Sequence, residues 1–130
     1  MSNLFDGAEI ISRYTRAQAI EDGTLVDVSE MAREAGFKFP IALTSAVHAR
    51  YVTVPEGVQC QDEAGRLWDI LWMLKCAIAR SKDGTDTVLY SLHVRNTNRR
   101  GTPPLVRLKS ICGPGDDAEP VITIMLPDED

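Results

Sequence analysis

The stretch LVRLKSICGPGDDAEPVITIML, residues 105–126, decides the fold. Its first eight residues alternate, with Leu105, Arg107, Lys109 and Ile111 on one side and Val106, Leu108 and Ser110 on the other. That period of two is the signature of a half-buried strand. Its last six, VITIML, are almost wholly apolar and read as a central strand buried on both faces. Between them CGPGDDAEP, residues 112–120, packs glycines, prolines and acids into one turn. A phosphate cradle needs glycines that lead into a helix N-terminus, with positive charge. Here a strand follows and the charges are negative, so the stretch is first of all a hairpin connection.

Working outward, TVLYSLHV (87–94) alternates in the same way and adds a third strand. Before it, residues 61–81 carry the strongest helical pattern. At 100° per residue, Ala64, Leu67, Trp68, Leu71, Trp72, Leu74 and Ile78 share a broad apolar face, with Asp62, Arg66, Asp69 and Arg80 opposite. Ile70, Met73 and Ala77 lie among those polar residues, which predicts a largely buried helix with a second surface in contact. Lys75 falls inside the apolar arc, where its stem snorkels or its amine meets an acid.

Short elements precede this helix. Thr15 and Gln18 form a capping box for a helix over 16–22 that Gly23 ends. TLVDV (24–28) reads as a strand, the candidate fourth of the sheet. Ser29 is placed to cap a helix that Gly36 terminates. Pro40 interrupts FKFPIAL, and a further helix is predicted over 44–51. The expected fold is α+β: a three- to four-stranded antiparallel sheet packed on one long helix, about 61–81, with short N-terminal helices. Residues 1–130 form a single domain, with 1–13 and 127–130 as flexible ends.

The chain has 130 residues, 44% hydrophobic and 25% charged, with a formal net charge of −5. Those values describe a globular chain able to bury about two thirds of its unfolded surface. A net negative charge argues against non-specific coating of nucleic acid or membrane. The charge is segregated. Residues 87–115 hold Arg95, Arg99, Arg100, Arg107 and Lys109 and no acid; residues 116–130 hold Asp116, Asp117, Glu119, Asp128, Glu129 and Asp130 and no base. Either the two segments neutralise each other, or each offers a surface to a partner.

Catalytic and metal chemistry find little support. Cys60, Cys76 and Cys112 are an odd number at long spacings with no C-x-x-C, which argues against a disulfide framework or a zinc site. His48 has no His or Glu at helical spacing, and His93 sits among arginines. Ser91 and His93 share a strand face and Cys112 lies near the end of a predicted partner strand, but no nucleophile motif surrounds them. Asp116, Asp117 and Glu119 lack the alternating ligands of a calcium loop. The expectation is no catalytic residue, no metal and no cofactor. The N-terminus has no signal-peptide pattern, and LWDILWMLKCAIA is interrupted by Asp69 and Lys75 and too short for a membrane span; a cytoplasmic location with no membrane partner is expected.

The segments YTRAQAIEDGTLVDVSEMAREAGFKFP (14–40), QDEAGRLWDILWMLKCAI (61–78) and LVRLKSICGPGDDAEPVITIMLP (105–127) together resemble a family of small proteins of unknown function from bacterial plasmids, integrative elements and phage-derived regions. The resemblance covers nearly the whole chain and brings no catalytic residues with it. It implies a setting in which small proteins act against host defences, as anti-CRISPR or anti-restriction inhibitors do by binding a protein complex. The expected function is therefore a non-enzymatic interaction protein that binds a subunit of a host nucleic-acid-targeting defence complex through Asp116, Asp117, Glu119, Asp128, Glu129 and Asp130, or through the basic residues. The alternative is a nucleic-acid-binding accessory protein of a plasmid or integrative element, using segment 93–109 with Arg95, Arg99, Arg100, Arg107 and Lys109 on phosphates.

Overall fold

The last apolar run becomes the middle of the molecule. In the computed structural model, which describes residues 14–82 and 84–129, Pro120–Met125 (β5) lies at the centre of a five-stranded sheet. The other strands are Leu25–Asp27 (β1), Ile41–Thr44 (β2), Thr87–His93 (β3) and Leu105–Pro114 (β4), in the spatial order β1-β2-β5-β4-β3. The expectations for residues 1–13 and Asp130 lie outside the described residues.

Strands β3, β4 and β5 form the antiparallel meander that their alternation predicts, with Tyr90 opposite Leu108 and Ser110 opposite Ile124. The five-residue link between β4 and β5 closes through the Gly115 amide, which donates to the Glu119 carbonyl at 2.6 Å. Ala118 takes a positive φ of 64° in that link.

The sheet departs from the expected three or four antiparallel strands at β2. Ile41–Thr44 is a strand, and it runs parallel to β5, with Leu43 beside Ile124. Pro40 starts this strand without breaking the ladder. A proline there gives up only an N–H, and its carbonyl accepts from Ile122 N–H at 2.9 Å. Four residues are too few to show a period, and β2 is buried on both faces, so no alternation marks it. β1 pairs antiparallel on β2, with Val26 opposite Leu43.

The helices are Arg16–Glu21 (α1), Ser29–Glu34 (α2), Ser45–Val47 (α3) and Glu63–Arg80 (α4), with a single π turn over His48–Val52 after α3. The capping box at Thr15 and Gln18 forms as expected. Ser29 does not cap α2. Its hydroxyl is buried, donates to Asp27 at 2.6 Å and accepts from the Ile41 amide at 3.1 Å, tying β1 and α2 to β2. The helix expected over 44–51 is one turn of α-helix followed by the π turn, which closes where Thr53 N–H donates to the His48 carbonyl.

α4 lies across β3 on one face of the sheet, and the Tyr90 hydroxyl donates to its Ile70 carbonyl at 3.1 Å. Leu71 and Leu74 are buried as expected, but the buried side of α4 also takes in Arg66, Ile70 and Ala77, while Trp68, Trp72 and Ile78 are exposed. The helix is rotated relative to its hydropathy because Arg66 finds enough acceptors inside the protein. Its guanidinium donates to the carbonyls of Tyr51 at 3.0 Å and Arg95 at 2.6 Å, and to the side chain of Asn96 at 2.7 Å. Lys75 meets a carbonyl and not an acid: its amine donates to Ala35 at the C-terminal end of α2, at 2.7 Å.

Ile41, Leu43, Ile70, Leu71, Leu74, Leu108 and Ile124 form the fully buried heart of one apolar cluster. Ile124→Ala at its centre is expected to cost about 3 kcal/mol. Urea unfolding should show a lower midpoint with an unchanged slope. Arg66→Met, which strands several partly buried carbonyls, is expected to cost about 2 kcal/mol despite its added apolar surface.

Candidate functional site

The surface most unlike a solvated face is the outer side of α4. Asp62 caps this helix by accepting from the Gly65 amide, and the rotation forced by Arg66 carries two tryptophans outward. Trp68 and Trp72 are 36% and 45% exposed and stack on one another, with centroids 5.9 Å apart and planes 12° from parallel. The Lys75 amine stands 5.4 Å from the Trp72 ring, a cation–π distance. Trp72 also lines a groove of about 320 Å³ between α4 and the outermost strand, β3, with Asp69, Met73, Leu92, His93 and Leu105 around it. Leu105 is 60% exposed at its rim. Partial burial pushes the Asp69 carboxyl above the usual range. The groove thus joins aromatic and aliphatic surface to the polar side chains of Asp69, Ser91 and His93.

The acidic residues singled out in the sequence do not form one surface. Asp116 is turned inward onto α1: its carboxylate accepts from the amides of Arg16 at 2.8 Å and Ala17 at 3.0 Å, serving a helix start a hundred residues away in sequence. Arg16 continues the tie, donating to Thr123 at 2.7 Å and to the Ile122 carbonyl at 2.8 Å. Burial lowers the Arg16 pKa, while Asp27, Asp116 and Glu119 act to raise it. Glu119 folds back to accept from the Asp117 amide at 3.0 Å. Glu129 accepts from Thr44 and from the Leu126 amide, both at 2.8 Å. Asp117 and Asp128 are exposed, and Asp130 lies outside the described residues.

The basic residues divide in the same way. The Arg95 guanidinium curls over its own loop onto the carbonyls of Arg99 and Gly101. Asn96 and Asn98 pin that loop to the segment before α4, through the Arg50 and Gly57 carbonyls at 3.0 and 2.8 Å. The Lys109 amine donates to the Glu129 carbonyl. This contact joins the basic and acidic segments without pairing their charges. Arg99, Arg100 and Arg107 are exposed.

Ser91 and His93 face the same side of β3, opposite Arg107 and Leu105. Cys112 lies at the far end of the strand pair, where its amide donates to Asp86, and packs against the core. The three side chains do not meet. The His93 Nδ1 lies 2.8 Å from the Pro103 carbonyl, which can only accept, so that nitrogen carries the proton. Among the described residues no group of three His, Cys, Asp or Glu side chains could hold a metal ion, and no helix is long and apolar enough to cross a membrane.

A family model described as a family of unknown function, DUF6573, matches residues 1–130. The chain belongs to this family. No curated protein and no solved structure matches it. Family membership accounts for the whole-chain resemblance and carries no residue role with it.

Sequence reasoning placed Trp68 and Trp72 in the core and so missed this surface. The available signal was an excess of apolar residues around α4, more than one sheet face can cover, with Lys75 set among them. Asp116→Ala is expected to lower stability by about 1 kcal/mol by uncapping α1. Asp117→Ala, with an exposed side chain, should leave the melting temperature unchanged. Thermal denaturation followed by circular dichroism distinguishes the two.

Proposed function

We propose that this protein is a non-enzymatic interaction protein that binds a subunit of a host nucleic-acid-targeting defence complex and inhibits it, in the manner of anti-CRISPR or anti-restriction proteins. The observation that carries the binding half is the exposed Trp68–Trp72 stack beside an apolar groove. Tryptophans are over-represented among residues that dominate interface energetics. An exposed stacked pair is pre-ordered, which lowers the entropic cost of docking. The defence-complex half rests on the mobile-element setting that the resemblance implies. In this reading Asp116, Glu119, Glu129, Arg95 and Lys109 shape the protein, and the partner contact centres on α4.

The test is host interference against a phage or plasmid, with the tagged protein recovered from the same cells. The wild type should relieve interference and retain a defence subunit. Trp68→Ala with Trp72→Ala should weaken that association about 30-fold or more, with an unchanged circular dichroism spectrum. Undiminished interference with no defence subunit recovered sinks the proposal.

The nucleic-acid reading keeps one supporting observation, the exposure of Arg99, Arg100 and Arg107. If DNA binds there, Arg99→Ala with Arg100→Ala should reduce the slope of log affinity against log salt by about 2. An unchanged slope removes that surface from consideration.

A further inference from the structure

The two edges of the sheet are built differently. The β1 edge is three residues long, ends in Asp27 and packs against α1. A short, charged, covered strand is how proteins protect an edge from pairing. The β3 edge has none of these devices. It runs seven residues, TVLYSLH, with no formally charged side chain, no proline and no lysine. The Cys112 amide donates to the Asp86 carbonyl at 2.8 Å, and the Val94 amide to Pro104 at 3.1 Å. In this antiparallel register the even-numbered residues of β3 therefore exchange hydrogen bonds with β4. The amides and carbonyls of Leu89, Ser91 and His93 point away from the sheet. Those of Thr87 do too, with the Thr85 hydroxyl against them at 3.0–3.4 Å.

We infer that this edge pairs with the same edge of a second copy, antiparallel about a two-fold axis at Tyr90, to make a continuous ten-stranded sheet. About that axis Leu89 faces the partner's Ser91 and Thr87 faces the partner's His93. The outward backbone groups of Leu89 and Ser91 are then placed opposite complementary ones. A charge-free strand brings no like charges together at the seam.

The helices add the charge complementarity that selects this register. Asp69 lines the groove at the level of Leu92 and His93. Arg80 is eleven positions further along α4 and within about 20° of the same side at 100° per residue. Eleven helical residues rise about 16.5 Å. Five strand residues, the offset from Leu92–His93 to Thr87–Val88, span about 17 Å. The two-fold therefore carries Asp69 of one copy to the partner's Arg80, and the reverse. Met73, beside Asp69 and Arg80 on α4, meets the middle of the partner's helix, while Trp68, about 100° round the helix from Asp69, stays outside the seam and open to a host partner. Arg107 of each copy stays three strand spacings from its mate, about 14 Å, beyond the screening length of about 8 Å in physiological salt.

The experiment uses purified full-length protein alone, so its outcome is independent of any host partner. Sedimentation across a dilution series should give twice the chain mass of 14.4 kDa. Hydrogen exchange should show protected amides at Leu89 and Ser91. Ser91→Pro removes an outward N–H that the β4 ladder does not use, and it should yield a folded monomer in which Leu89 exchanges fast. Asp69→Arg and Arg80→Asp should each weaken association about tenfold, and the double variant should restore it. A wild type that stays monomeric, a Ser91→Pro variant that still dimerises, or a double charge swap without rescue overturns the inference.

Discussion

The parallel pairing of β2 with β5 is the join on which the rest of the structure depends. Without it the sheet falls into two pieces, a hairpin-like β1–β2 unit and the β3–β4–β5 meander. The ladder begins where Pro40 accepts from Ile122 and continues as Ile41, Ala42 and Leu43 follow Ile122, Thr123 and Ile124. Everything nearby reinforces it. Ser29 holds β2 from one side, Arg16 reaches β5 at Thr123 and Ile122, and Glu129 reaches back to Thr44. Of the acids near the C-terminus, Asp116 and Glu129 act as fasteners around this join.

Arg66 plays the corresponding part on the helical side. One guanidinium gathers carbonyls from the π turn and from the loop after β3, and so fixes how α4 is rotated on the sheet. The tryptophan surface and the arginine are thus two sides of one arrangement. An arginine is suited to this position because its planar fork can serve several acceptors at once, where a lysine would serve fewer in less defined directions.

Much of the fold was legible from local pattern. The alternation in 87–94 and 105–112, the run VITIML and the Thr15–Gln18 box each correspond to an element, because each carries a period or a cap within a few residues. β2 was not legible. Its four residues, IALT, have no period, and its partner lies just over eighty positions away. The face of α4 was misread because hydropathy counts Arg66 as outward, whereas partly buried carbonyls supplied by Tyr51 and Arg95 make the inside hospitable to it. The same blindness to distant partners left open whether Asp116, Glu129 and Lys109 form a free surface. Only the tertiary structure brings α1 to Asp116 or Glu129 to Lys109, and no spacing rule reaches across a hundred residues.

The central position of β5 has a consequence for synthesis. The ribosome makes β1 and β2 early, then some 75 further residues before the strand that will lie against them. At about 5–20 residues per second that interval lasts several seconds. Throughout it Ile41, Ala42 and Leu43 present a bare apolar edge that nothing already made can cover. Until its closing strand emerges, the β2–β5 join cannot form and the early strands have no partner on that side. Ribosome-bound chains carrying a C-terminal linker long enough to hold residue 125 outside the exit tunnel would register the moment as an abrupt gain of protease resistance.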